Sequence, residues 1–427
     1  MKKNRIYLAA LCAATLVTAQ HKSAYALGPG GTGFGTVGAD TYNITNLGIF
    51  SGQWQVTGAV DGWVSALSNS TPDGAGRPMN SAISNGEAFL HIAKPTGTWQ
   101  FYFSGGQWQT PTMGLTTDNG AFNSLAPYGS PYNPHSPTQL SIWTTYQPSN
   151  YWSVSAGQMA PIEGNELGLD FYNPTFFVSE INNLELSSGI GGQLNLMYGP
   201  STLNIQLSSG YTTVNRLNII SMLYTYNLNQ DGSNYIDAWG NENLGHDGNP
   251  GKPTPGVGFG FSEANGSMIG VGGQWILGRW SIVPQLQYQW LPRQSVKGGA
   301  GNPQPLTTYH ILTIAADLTY EFNKTWSATV QPQISSQNGD KNDPNEALFG
   351  NWLQYDSPAG VGTFSPGTTM TGIQANITWQ HQNFFVRPTV AYTHLAGFAE
   401  GTGYGLHGYA ADQVVGVLEV GFTLGKY

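Results

Sequence analysis

The sequence predicts an all-β fold, a transmembrane antiparallel β-barrel of about 16 strands (roughly 14–18) with short periplasmic turns and long extracellular loops. Three observations carry that prediction. Hairpins recur in which apolar and polar residues alternate with period two. Aromatic residues gather beside the short turns. Charged residues make up only 9% of the chain, against about 25% in a typical soluble domain. A barrel with one face in lipid has fewer places to put charge.

Taken in order, Met1–Arg5 carries three positive charges, Ile6–Ala19 is mostly small and apolar, and Ala24-Tyr25-Ala26 fits a small-x-small cleavage site. Residues 1–26 read as a secretory signal peptide. The only cysteine, Cys12, lies inside it, and Leu11 before it is not the small residue a lipoprotein site needs. The exported chain then has no thiol, disulfide or cysteine metal site. Losing Lys2, Lys3, Arg5 and Lys22 lowers the basic residues from 15 to 11 against 24 acids, a net charge of −13. That balance argues against nucleic acid as a partner. No later run reaches the ~18–20 apolar residues of a spanning helix.

Residues 27–53 are Gly-rich and read as an irregular segment that could lie in the lumen. The barrel is assigned to 54–427. Its first strand, Trp54–Leu67, puts Val56, Val60 and Val64 on one face and Asp61 on the other. The clearest hairpin is Ile269–Tyr288. Leu277 should meet Trp280, Trp275 should meet Ile282 and Val271 should meet Leu286 across a turn at Gly278-Arg279. Similar hairpins are expected from Leu194 to Leu207, Leu312 to Ile334 and Ile373 to Tyr392. Ile219–Tyr226 and Tyr235–Trp239 carry the weakest strand pattern. Trp275/Trp280, Phe322/Trp326 and Trp379/Phe384 would form an interfacial aromatic girdle.

Long polar connections are expected near Ser68–Ser84, Gln109–Pro137, Ala160–Ser187, Gly240–Gly266, Pro292–Thr308, Gln337–Thr368 and Ala396–Asp412. Ala160–Ser187, with Glu163, Glu166, Asp170 and several aromatics, could fold inward as a constriction or lie on the surface. Asp340, Asn342, Asp343 and Glu346 lack the full spacing of a calcium loop. Three outward prolines, Pro284, Pro332 and Pro388, should sit opposite Gly273, Ala316 and Ala375, which suggests a bulge or twist at one height. The C-terminal strand alternates through Leu418, Val420, Phe422 and Leu424, and the chain ends on an aromatic, Tyr427.

Trp54-Gln-Val-Thr-Gly-Ala-Val-Asp-Gly-Trp63 resembles the opening strand of the OmpL-like outer-membrane β-barrel porin family. Ala156-Gly-Gln-Met-Ala-Pro-Ile-Glu-Gly-Asn-Glu166 and Phe171-Tyr-Asn-Pro-Thr-Phe-Phe177 are similar to that family's "AGxxxxPIG…E" and "NPxxS" region. Glu163 before Gly164 and the terminal Tyr427 depart from the pattern. The resemblance implies a general diffusion channel without catalytic residues.

If the apolar face meets lipid, the other face lines the bore. Its expected lining is Asp61, Glu87, His91, Gln193, Asn195, Asn204, Gln206, Gln285, Gln287, Gln289, Asp317, Glu321, Gln331, Gln333, Gln374, Asn376, Thr378, Arg387 and Glu419. Carboxamides dominate, and these donate and accept hydrogen bonds without charge. They suit an uncharged, sugar-like solute, and the few charges, mostly acidic, predict a weak cation preference. They could equally only wet the wall. Arg387 should pair with Glu419 or another acid. The expected partners are outer-membrane lipid, lipopolysaccharide, the barrel-assembly machinery and small hydrophilic solutes, with no cofactor. The rivals are a plugged structural or adhesive barrel and a barrel enzyme. The histidines form no recognisable Ser/His/Asp arrangement, so an enzyme is disfavoured.

Overall fold

The computed structural model describes residues 42–47, 50–69, 81–84, 88–107, 111, 113, 138–159, 161–166, 173–181, 189–210, 216–244, 266–291, 295–297, 303–305, 309–339, 367–405 and 407–424. Glu87, Asp340–Glu346, Tyr427 and the expected signal peptide lie outside them.

The strands are β1 (Tyr42–Leu47), β2 (Phe50–Leu67), β3 (Ser81–Ser84), β4 (Ala88–Lys94), β5 (Trp99–Gln107), β6 (Thr138–Tyr146), β7 (Trp152–Met159), β8 (Gly189–Tyr198), β9 (Ser201–Ser208) and β10 (Ile219–Asn227). They continue with β11 (Tyr235–Asn243), β12 (Ser267–Leu277), β13 (Trp280–Leu291), β14 (Ser295–Lys297), β15 (Pro303–Pro305), β16 (Tyr309–Asn323), β17 (Trp326–Gln337), β18 (Thr369–His381), β19 (Phe384–Ala396) and β20 (Asp412–Leu424). Eighteen of them join one sheet, and β14 pairs only with β15. Within the large sheet successive strands pair antiparallel, except that β3 and β4 both pair with β2. The last, β20, returns to β2 from Gly58↔Leu424 to Leu67↔Val415. β3 and β4 lie end to end along the other edge of β2, so they make one stave. β1 extends the β2 edge beyond the end of β20. The result is a closed 16-stave antiparallel barrel. Closure leaves no unpaired edge, the condition for a sheet to cross lipid.

The Ile269–Tyr288 hairpin forms in the expected register, with Leu277↔Trp280, Trp275↔Ile282 and Val271↔Leu286. Gly278, at φ 64°, supplies the positive φ of its tight turn. The two weakly patterned strands also form, as β10 and β11. The expectation for residues 27–53 needs correction at its C-terminal end. Tyr42–Leu47 and Phe50 onward make a hairpin, because pairing with the protruding start of β2 satisfies backbone groups that an irregular segment would leave to water.

Facing follows the alternation. Val60, Val64, Ile269, Val271, Leu286, Ile314, Val330, Ile373, Val390 and Leu418 are exposed on the outside, where lipid would cover them. At the short-turn end, Trp280 lies against Tyr320 and Trp379 against Trp326 and Phe384, with ring centroids 4.8, 6.4 and 6.0 Å apart. These contacts run from β13 to β19, along part of the girdle the sequence predicts, and include its Trp379/Phe384 pair.

The prolines have a physical account in the register. The β12–β13, β16–β17 and β18–β19 ladders each skip two pairs: between Gly272↔Gln285 and Trp275↔Ile282, Ala315↔Gln333 and Leu318↔Val330, and Asn376↔Thr389 and Trp379↔Val386. Each gap holds one proline, whose missing N–H cannot join that ladder. The opposite edge stays continuous through Pro284↔Ala316, Pro332↔Ile373 and Pro388↔Leu418. The flanking pairs set Pro388 opposite Ile377, not Ala375, so the expected rule of a small opposing residue fails there.

Candidate functional site

The connection between β7 and β8 folds into the barrel. Its described parts, 161–166 and 173–181, are buried along the inner wall from β10 round to β2. Two apolar docks hold it. Phe176 and Phe177 pack with Trp63 and Leu67 of β2, Ala391 of β19, Val415 and Val417 of β20, and Met113. Phe176 meets Trp63 edge-on at 5.9 Å. Ile162 and Ile181, at the two ends of the insertion, pack with Leu223, Trp239, Met268 and Ala315 of β10, β11, β12 and β16. Glycine on the wall makes room for these groups. A Cβ on Gly270 would lie 2.2 Å from the Trp239 ring, and one on Gly272 2.5 Å from Asn165 Nδ2.

A loop driven into a barrel carries backbone N–H and C=O groups away from bulk water, and each needs a partner. The wall amides supply them. Gln374 accepts from the Phe177 N–H (3.2 Å) and donates to the Phe177 carbonyl (2.5 Å), as a neighbouring strand would. Asn376 donates to the Pro174 carbonyl (3.0 Å) and Gln333 accepts from the Glu180 N–H (3.0 Å). Gln285 accepts from the Asn165 N–H (2.9 Å). Gln287 donates to the Ile181 carbonyl (3.5 Å) and accepts from the Trp239 indole (2.9 Å).

The charges sit in the same interface. Arg387 Nε donates to Glu419 Oε2 at 2.6 Å, both side chains being fully buried. One guanidinium nitrogen, Nη1, reaches the carbonyls of Asn173 (3.1 Å) and Thr175 (3.0 Å), and the group lies 5.9 Å from the Phe176 ring centroid. Gln331 Nε2 bridges two carboxyls, Glu166 (2.6 Å) and Asp317 (2.8 Å), while its oxygen accepts from Gln374 (2.6 Å). Both Glu166 oxygens also accept from the Ser179 N–H at 3.0 Å. Burial pushes the Glu166 carboxyl above the usual carboxylate range, and the bonds from Ser179 and Gln331 offset this in part. Glu163, bonded by Asn241, is raised by burial in the same way. Gln331 and Arg387 each immediately precede a ladder-breaking proline, Pro332 and Pro388. The staves are therefore interrupted where they hold the loop.

These positions correct the expected lining. Gln285, Gln287, Asp317, Gln331, Gln333, Gln374, Asn376, Arg387 and Glu419 point inward, but they serve the inserted loop and are buried. Gln289 is fully buried, Thr378 is bonded by Asn376, and Asp61 is buried on β2. His91 is buried with its Nδ1 3.0 Å from the Tyr102 hydroxyl, beside the stacked Tyr102–Trp143 pair. Glu321 is half-buried at the short-turn end. On the far wall Asn204 and Gln206 are buried, whereas Gln193 and Asn195 are only half-buried. Sequence reasoning missed Trp63, Trp239, Val415 and Val417 as loop docks. The available signal was that these apolar residues fall in the inward, otherwise polar phase of their strands.

A closed 16-stave barrel with a loop folded against its inner wall defines a porin-like outer-membrane barrel. The sequence matches the model of the family described as "Putative beta-barrel porin-2, OmpL-like" over residues 53–424, and the chain belongs to that family. The fold is similar to the outer membrane channel DcaP of Acinetobacter baumannii, at 9% identity, covering 89% of this chain and 100% of that one with a TM-score of 0.53. It is similar to OprB of Pseudomonas putida, at 12% identity, 87% and 94% coverage and a TM-score of 0.51. Salmonella typhi OmpF gives 10% identity, 90% and 100% coverage and 0.50. A search of curated proteins finds no match by sequence. Family and fold point to a channel in the outer membrane and away from an enzyme.

Proposed function

We propose that this chain, exported through a cleaved signal peptide, forms a water-filled channel for passive diffusion of small hydrophilic solutes, favouring uncharged ones over ions. One observation carries the reading. The strong inward charges are paired or sequestered: Arg387 is cancelled by Glu419, and Glu163, Glu166 and Asp317 are buried in the loop interface. A bore whose wall exposes little charge exerts little field on an ion. The inward ionisable groups are mostly acidic, so the residual preference is for cations. Lipid and lipopolysaccharide contact the apolar exterior, and the barrel-assembly machinery inserts the chain.

Conductance of the folded protein in a planar bilayer tests this. Stepwise openings with a small cation-directed reversal potential under a salt gradient are expected. No openings from demonstrably inserted protein would favour a closed structural barrel, and strong anion selectivity would refute the charge argument.

A further inference from the structure

We propose that the short-turn end of β12–β17 holds the headgroup of an anionic phospholipid on the outside of the barrel. Arg279 and Lys324 take its phosphate, and the rings of Trp280, Tyr320, Phe322 and Trp326 take the glycerol and the first methylenes of its chains. The inference goes beyond the channel reading and does not need the barrel to conduct. It rests on the apolar exterior facing lipid.

The register brings the two cations to neighbouring turns. Trp280 stands opposite Tyr320, which sets the β12–β13 and β16–β17 turns side by side. The Glu321 N–H donates to the Arg279 carbonyl (2.9 Å), and Arg279 Nη1 donates to the Phe322 carbonyl (3.1 Å). One edge of the guanidinium is thus tied to the next hairpin, two residues before Lys324. The turn that carries Lys324 is itself fixed. Asn323 Oδ1 accepts from the N–H groups of Thr325 (2.8 Å) and Trp326 (3.1 Å). Lys324 is exposed at the tip and has no hydrogen bond or ion pair among the described residues. Arg279 is exposed as well and has no acid partner among them. The carboxylate of this stretch, Glu321, lies in the inward phase of β16 and is half-buried.

A free anion would need only the cations; the rings argue for a lipid. Trp280 lies 4.8 Å from Tyr320, and Tyr320 lies 5.1 Å from Phe322. Trp280, Phe322 and Trp326 are 49, 47 and 45% exposed on the outside. They form a shelf on the membrane side of the turn tips, and such rings sit at headgroup depth. A lipid lying on the shelf carries its phosphate at the height of the tips. There the free edge of the guanidinium and an ammonium can both bond it. Short turns face the periplasm in this class of barrel, so the lipid belongs to the periplasmic leaflet and is not lipopolysaccharide. Other short turns lack this chemistry. Residues 147–151, 199–200 and 228–234 include no Lys or Arg and one acid, Asp231. Lys94, beside the β4–β5 turn, is held by the carbonyls of Thr96 (3.1 Å) and Trp99 (2.8 Å).

Native mass spectrometry of the folded barrel tests this. Delipidated protein in a neutral detergent is given phosphatidylglycerol, phosphatidylcholine or lipopolysaccharide at equal concentration. Phosphatidylglycerol should be retained in preference to the other two. Arg279→Gln and Lys324→Gln should each weaken that retention about fivefold, and the double variant about thirtyfold. Lys94→Gln, which removes a cation from another short turn, should leave it unchanged. Trp326→Ala should weaken retention with both cations in place, and glycerol phosphate at the lipid's concentration should not displace the lipid. Equal retention of phosphatidylglycerol and phosphatidylcholine, or an equal loss in Lys94→Gln, overturns the site. Displacement by glycerol phosphate reduces it to a free-anion site and overturns the lipid, and preferential retention of lipopolysaccharide overturns the leaflet. Heat-modified gel mobility checks folding. If Arg279→Gln does not fold, Lys324→Gln and Lys324→Glu carry the test, the second with the larger loss. A barrel that stays folded and dispersed without detergent refutes the lipid-facing exterior instead, and so is distinguishable.

Discussion

The two arcs of the inner wall are built from the same polar vocabulary and put to opposite uses. From β10 to β2, long amides, an arginine and inward aromatics grip an inserted loop and are buried under it. From β5 to β9, Gln193 and Asn195 are half-buried and bonded to each other and to Ser153, while the serines around them are buried. Gln374 is a structural bracket for the loop, whereas Gln193 is half-buried and bonded to its own strand neighbours. Residue type does not distinguish them; the presence of a loop backbone within hydrogen-bond reach does.

The comparison breaks most readily at the buried ion pair. Arg387→Met strands Glu419 and frees the Asn173 and Thr175 carbonyls, and loss of one partner of a buried pair costs about 3–5 kcal/mol. Denaturant unfolding of the reconstituted barrel should show that loss, with noisy single-channel current as the loop loosens. Arg387→Lys should keep the charge pairing yet still raise the noise, because an ammonium cannot span both Glu419 and the loop. Quiet current in both variants would mean the clamp does not hold the loop.

Facing gives the next largest effect. Ile314→Arg puts a charge on the lipid side, worth roughly 2–4 kcal/mol at the midplane, so inserted yield should fall sharply. Asn195→Arg, half-buried on the inner face of β8, should insert normally and reduce conductance. Equal yields for the two would mean the inside and outside are misassigned. A subtler contrast uses one substitution on both arcs. Gln374→Leu leaves the Phe177 N–H and C=O unpaired and should cost about 1–3 kcal/mol. Gln193→Leu removes an amide that water can replace and should leave stability nearly unchanged. Parallel unfolding curves compare them directly.

The smallest effect is the pH dependence of the loop. Burial raises the Glu166 carboxyl above its unfolded value. Its contribution to docking is therefore fully present below the unfolded value and is lost as pH rises through the folded one. Across Gln331 it faces Asp317, so deprotonation places a negative charge in a buried bracket that also holds a second carboxyl. Current noise should grow toward alkaline pH, and Glu166→Gln should flatten that dependence. Noise that grows on acidification would reverse the sign and remove Glu166 as the cause.

The sequence by itself determined the barrel. Alternation along a strand is a local property: the register Leu277↔Trp280, the exterior valines and leucines and the girdle at Trp280 and Trp379 all follow from neighbours a few residues apart. Alternation also put the long amides in the inward phase, and Arg387 on a strand adjoining that of Glu419. Only the tertiary structure decided which of the inward residues are open to solute. Gln374 meets Phe177 across 197 residues, Arg387 meets Asn173 across 214 and Gln333 meets Glu180 across 153. No periodicity reports such contacts. Whether 161–166 and 173–181 would lie on the surface or in the lumen depended on two apolar docks assembled from seven strands, and their favourable burial exists only once the barrel has closed.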